Sequence, residues 1–388
     1  MGLKNREATF PSIPLKEGIT VWDRSLQMGA SLMGWSYLAL LTIAPFSWQS
    51  PGVAQSTQPQ QPTTFPKQRT VFPPTAPPPG NAPLPTQRQQ VENRSITPDY
   101  RISGLQADFK GGLWVGSWQG IARIDPNTGR IGARVNLPNT AIGALALDSS
   151  GRVWVGTYEG LIRIDPRSDE ITAQNFTLPS NRVLALTTDP RGYLWVGGDR
   201  GVALISPDQG LLMSTVQNLP GVSANAFTLD RRGNLWVGTL DGLVEIDTAR
   251  ALLRRRITNL PGGVVQAITV EPRGSLWVGT PNSLLEVNPQ TGAVIRSVRS
   301  IEGKNVTSLR FDRRGQLWVG TTNGLFQVNR YNGAIVDQIT SLPSSRVLIV
   351  APDVGNKLWV GTTEGLAWVN LRRSRQAQPH ATYSRRSP

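Results

Sequence analysis

The sequence predicts an all-β protein, a seven-bladed β-propeller made of four-stranded antiparallel blades. Three observations carry this. Trp114, Trp154, Trp195, Trp236, Trp277, Trp318 and Trp359 all stand in the frame Leu/Val-Trp-Val-Gly, 40 residues apart once and 41 apart five times. A fixed period of this length marks one supersecondary unit stacked on itself. Each unit reads as four short strands rich in Val, Ile and Leu and broken by Gly, Pro and Asn. The first strand of each unit carries apolar residues on both faces, so both faces are buried. Four-stranded units set radially around a channel satisfy all three.

Residues 264–298 serve as the type repeat, with strands expected at 264–270, 276–280, 284–287 and 293–298. The turn between the first two strands recurs as Asp189-Pro190-Arg191-Gly192, Asp230-Arg231-Arg232-Gly233 and Asp312-Arg313-Arg314-Gly315. The Asp accepts from the backbone and the Gly takes positive φ, giving a bulged hairpin. In the seventh copy Asn356 stands where the others have Gly, and Asn is the next-best residue there. Ala144, Ala185, Ala226, Ala267 and Ser308 are small at one equivalent inner position, where blades crowd near the axis. The Trp fills the wider gap further out, and its indole N–H needs one partner.

Ring closure is also predicted. The seventh copy has three strands, followed by residues 371–388, read as a basic C-terminal tail. Val91-Glu92-Asn93-Arg94-Ser95-Ile96 precedes the first copy as fourth strands precede their successors. It is expected to complete the seventh blade, giving a monomeric propeller over 91–370.

Ahead of the repeats, residues 25–66 carry no charge, and within them 29–46 is strongly apolar, preceded by Lys4, Arg6, Lys16 and Arg24. Residues 1–54 are read as a signal peptide or an N-terminal membrane anchor attached through 29–46. Either reading exports the rest, to the periplasm or the outer face of a membrane. Residues 55–90, rich in Pro, Gln and Thr, form a disordered spacer.

The formal net charge is +14. Residues 1–90 and 371–388 contribute nine of these charges, which argues against a nucleic-acid partner for the ring itself. There is no Cys, and the one His is His380, so the body of the protein lacks the commonest general base and metal ligand. No catalytic residues, metal ligands or cofactor are assigned.

Leu-Trp-Val-Gly-Thr-x-x-Gly-Leu, as in 317–325 and 358–366, resembles the two-component regulator propeller repeat, and so does Leu342-Pro343-Ser344-Ser345-Arg346-Val347. The resemblance covers all seven copies. It implies a seven-bladed propeller of the kind found as periplasmic sensor modules joined to kinase or DNA-binding domains. A weaker resemblance is to virginiamycin B lyase propellers, whose chemistry uses a propeller histidine and bound magnesium. No histidine lies in 91–370, so that activity is not carried over.

Binding residues on a regular scaffold are expected where the repeat is broken. In the loops between second and third strands, Trp118, Tyr158 and Arg200 depart most from Thr-x-Asn/Glu. With Arg182, Asp199, Asp241, Arg346 and Glu364 they form the candidate binding rim, for an envelope protein, a wall polymer or a small ligand. The expected function is a non-enzymatic binding scaffold. The alternatives are a ligand sensor working in trans with a sensor kinase, and a propeller lyase or glycan-active enzyme. The opposite rim carries Lys110, Arg152, Arg191, Arg231, Arg232, Arg273, Arg313, Arg314 and Lys357.

Overall fold

The structure is a computed structural model that describes residues 99–137, 140–175 and 177–385. The apolar stretch 29–46, the spacer 55–90 and residues 91–96 lie outside the described residues. Among the described residues no helix is long and apolar enough to cross a membrane. One 3₁₀ turn, Arg299–Ile301, links the fifth blade to the sixth.

Every Trp-Val-Gly copy forms the second strand of a four-stranded sheet whose strands follow one another in chain order. In the type repeat these strands are Ala267–Val270, Leu276–Gly279, Leu284–Val287 and Val294–Ser297, shorter at their ends than expected but in the same places. Seven such antiparallel blades form the ring.

The core is divided into seven clusters, one between each pair of neighbouring blades. Each repeated Trp is at most 1% exposed and packs into the next blade. Trp114, for example, meets Ile142, Leu145 and Val155. The glycine two residues after each Trp explains how blades approach so closely. It pairs with the small inner-strand residue, as Gly156 with Ala144 and Gly238 with Ala226. A Cβ on Gly238 would lie 2.5 Å from Cγ1 of Val265 in the next blade. The requirement is space, since these glycines have ordinary negative-φ backbone.

The turn Asp has two tasks in the third, fourth and sixth blades, whereas the buried indole N–H groups of Trp154 and Trp277 find no partner among the described residues. Asp312 Oδ1 accepts the backbone N–H of Arg314 (2.9 Å) and of Gln316 (2.8 Å). Its Oδ2 accepts the indole N–H of Trp318 at 3.1 Å, and Asp189 serves Trp195 in the same way at 3.2 Å. Gly315 takes the predicted positive φ of 73°. The seventh turn is built differently. Gly355 and Asn356 are both left-handed, with φ 61° and 57°. They form a two-residue hairpin between Val354 and Lys357, which pair directly. Asp353 is turned away to the sixth blade, where it accepts the N–H of Arg313 at 2.6 Å. Trp359 donates instead to the Val354 carbonyl at 3.1 Å.

Ring closure requires a correction. The outer strand of the seventh blade is Gln378–Ser384, paired with Gly365–Val369. Residues 371–388 are thus not simply a basic tail, and the place assigned to 91–96 is filled by the blade's own chain. Pro379 and the polar Gln378, His380 and Thr382 hide this strand from periodicity, yet a strand that is outermost among the described residues tolerates proline on its outer edge. The closing seam is packed like the other six, with Ile102, Leu105 and Leu113 against Trp359, Leu366 and Tyr383.

Candidate functional site

The loop rim is held by a recurrent tie. Thr239 donates its hydroxyl to the Gly242 carbonyl (2.9 Å) and accepts the Asp241 N–H (3.2 Å). Thr157, Thr280, Thr321 and Thr362 make the same closing bond in their own loops. This hydroxyl explains the Thr-x-x-Gly spacing and leaves the two middle residues to face solvent. The third blade has Gly198 instead, so its loop lacks the tie, and Asp199 and Arg200 stand exposed at its tip.

Of the eight predicted rim residues, the structure brings one pair together. The Arg182 guanidinium lies over the Tyr158 ring, 4.7 Å from its centroid. Tyr158 is 47% exposed, and its N–H is anchored on the Ala141 carbonyl at 3.0 Å. The Arg182 N–H is held by Ser180 Oγ at 3.1 Å. Both backbones are therefore fixed while both side chains face outward. Trp118 is half-buried, and Asp241 and Arg346 are exposed. Glu364 meets Arg385 at 3.9 Å, an exposed pair contributing about 0–1 kcal/mol. Among the described residues no hydrogen bond, ion pair or ring contact joins Trp118, Asp199, Arg200 or Asp241 to another member of the set.

The central channel encloses about 400 Å³ and is lined mainly by Leu, Ala, Thr and Ile. Arg310 is the single charged side chain among the described residues lining it. Its surface is open to the channel, yet the surrounding blades bury its guanidinium enough to push its pKa below the ordinary arginine value. It occupies the inner-strand position paired with the repeated Trp. Gln106, Ala146, Thr187, Thr228, Thr269 and Ala351 hold that position in the other blades. His380 is not in the channel. It lies in the outermost strand of the seventh blade, where its Nε2 bonds the Gly129 carbonyl of the first blade at 2.9 Å.

On the opposite rim the basic ring divides into two groups. One group staples blades together. Arg152 pairs with Asp148 (2.6 Å) and donates to the Pro207 carbonyl of the next blade (2.9 Å). Arg191 reaches the Thr248 carbonyl, and Lys357 the Pro126 carbonyl at 2.6 Å. Arg163 and Arg255, overlooked in the sequence, do the same to Pro207 and Pro289. Arg163 is buried beneath Trp154, and burial pushes its pKa below the ordinary arginine value. Arg231, Arg232, Arg313 and Arg314 belong to the second group, whose guanidiniums have no partner among the described residues.

Four segments, 136–159, 177–200, 218–241 and 300–323, match the two component regulator propeller family. Each runs from a blade connection through the inner strand and the Asp turn to the loop after the Trp strand. No curated protein matches the chain. Among solved structures, it is similar to the extracellular domain of a hybrid two component system from B. thetaiotaomicron, with TM-score 0.60 and 20% identity over 74% of this chain and 42% of that one. A second such domain from that organism gives TM-score 0.57 and 19% identity over 71% and 39%. Catalytically inactive virginiamycin B lyase from Staphylococcus aureus, solved with quinupristin, gives TM-score 0.59 and 18% identity over 68% and 92%. At these identities the likeness is one of fold, and the chain spans about two fifths of the two sensor domains. Four of the repeats that build this seven-bladed ring thus match the two component regulator propeller repeat.

Proposed function

We propose that this is an exported, non-enzymatic binding propeller that engages an envelope partner through its loop rim. The observation that carries the reading is the Arg182–Tyr158 stack: an exposed aromatic and a guanidinium held on fixed backbones where the repeat is broken. Arg and Tyr are the usual anchors of protein interfaces, and side chains already ordered lose less entropy on binding. A cation stacked on a ring face adds about 0.5–1 kcal/mol at an exposed site. Export rests on the basic residues followed by the apolar stretch 29–46 and agrees with the extracellular origin of the sensor-domain neighbours.

A second reading, a sensing module that works in trans with a sensor kinase, is favoured by the family match. Both readings use the same rim and differ in the consequence of binding. Tyrosine-selective labelling of the full chain, with and without envelope extract from the source organism, tests the shared part. Protection of Tyr158 with continued labelling of Tyr331, which is 56% exposed in an outer turn of the sixth blade, supports the reading. Equal labelling of Tyr158 in both conditions contradicts it.

A further inference from the structure

We infer a second binding site, for a phosphate ester that also carries a hydroxyl, in the cleft between the sixth and seventh blades on the hairpin rim. The cleft encloses about 340 Å³, and Arg313, Arg314, Lys357, Arg372 and Arg375 line it against only Asp312 and Asp353. Among the described residues neither carboxylate forms an ion pair with them, so the cations of the cleft outnumber its acids. Asp312 is taken up by two backbone N–H groups and the Trp318 indole, and Asp353 by the Arg313 N–H. Arg375 is paired outside the cleft with Asp337 at 2.7 Å, and Lys357 is bound to Pro126.

Arg313, Arg314 and Arg372 are exposed, with no partner for their guanidiniums among the described residues. Arg152 and Arg191 on this rim are instead used up on acids and carbonyls, while Arg231 and Arg232, between the fourth and fifth blades, are likewise without a guanidinium partner among the described residues. Three unneutralised forks around a cleft of headgroup size match the several anionic oxygens of a phosphate.

A separate feature narrows the class. Gln327 is 5% exposed and lines the cleft. Its Nε2 donates to Gln316 at 2.8 Å, while its buried Oε1 has no donor. A buried acceptor left unpaired is costly. A hydroxyl beside the phosphate would satisfy it, as in a glycerol or sugar phosphate. The source is either a free phosphate ester or a lipid headgroup.

The test measures binding of glycerol 3-phosphate and of inorganic phosphate to the full chain by calorimetry. Co-sedimentation with phosphatidylglycerol or phosphatidylcholine vesicles runs beside it. The variant is R313A/R314A/R372A, and the charge-matched control is R231A/R232A/R273A, in the cleft between the fourth and fifth blades. The variant should lose roughly tenfold in affinity per guanidinium removed, the control less than about twofold. Binding of glycerol 3-phosphate without vesicles points to a free ester, and binding only to phosphatidylglycerol vesicles to a headgroup. Equal loss in variant and control, or no binding of glycerol 3-phosphate, inorganic phosphate or phosphatidylglycerol vesicles, overturns the site. Equal affinity for glycerol 3-phosphate and inorganic phosphate overturns the role of Gln327.

Discussion

Lys357 of the seventh blade donates its ammonium to the Pro126 carbonyl of the first at 2.6 Å, joining residues 231 apart in sequence. Its Nζ also lies 4.1 Å from the centroid of a Trp368 ring. Burial, the larger effect, lowers its pKa, while Asp125 raises it. Among the described residues no strand is shared across this seam, which is held by side-chain packing and by such bonds. Lys357→Met keeps the stem on Trp368 and removes the charged donor. Urea unfolding should show a loss of about 2 kcal/mol. Arg231→Met, at an unpartnered rim position, should change stability by less than about 0.5 kcal/mol.

The same seam makes the ring sensitive to acid. His380 bonds Gly129 through Nε2, and its Nδ1 accepts the Thr382 N–H at 3.3 Å, an arrangement that fits the neutral ring. Burial pushes its pKa below the ordinary 6.5; the Gly129 bond acts in the opposite direction and the Lys357 charge in the same one. The unfolded chain therefore takes up a proton as pH falls through 6.5, while the folded ring resists. This stabilising contribution is complete above that pH and is lost below it, until the folded imidazole is itself protonated. Melting temperatures measured between about pH 7.5 and 5 should fall less steeply for His380→Gln than for the native chain. Parallel curves would remove His380 as a cause.

Gly238→Ala tests why glycine closes the repeated motif. The added methyl would meet Val265 of the next blade at 2.5 Å, so blades must part or Val265 must shift. Overpacking of this kind costs about 1–3 kcal/mol. Gly238→Ala with Val265→Ala should recover part of the loss in urea titrations, because the obstructing side chain is then removed. No recovery would place the requirement in the backbone instead.

The ring was legible because its causes are local and repeated. Trp, the Gly two residues after it and the Asp six residues before it recur in most copies with the chemistry they perform. The last strand was not legible, since Pro379, His380 and Thr382 carry no alternating pattern and an outermost strand needs little. The inter-blade staples were hidden for another reason. Arg163, Arg255 and Lys357 bond to carbonyls about one repeat or a whole ring away, and a carbonyl acceptor leaves no trace in residue identity. At the rim, Tyr158 and Arg182 could be found as departures from the repeat, whereas their stacking is a property of the folded loops.

The loop-rim account is tested most directly by capture on immobilised full chain from an envelope fraction of the source organism. Native chain is compared with Y158A/R182A and with R231A/R232A on the opposite rim. The account predicts one discrete species retained by the native chain and by R231A/R232A, and lost from Y158A/R182A. Equal retention of that species by Y158A/R182A would contradict a binding face centred on these two residues.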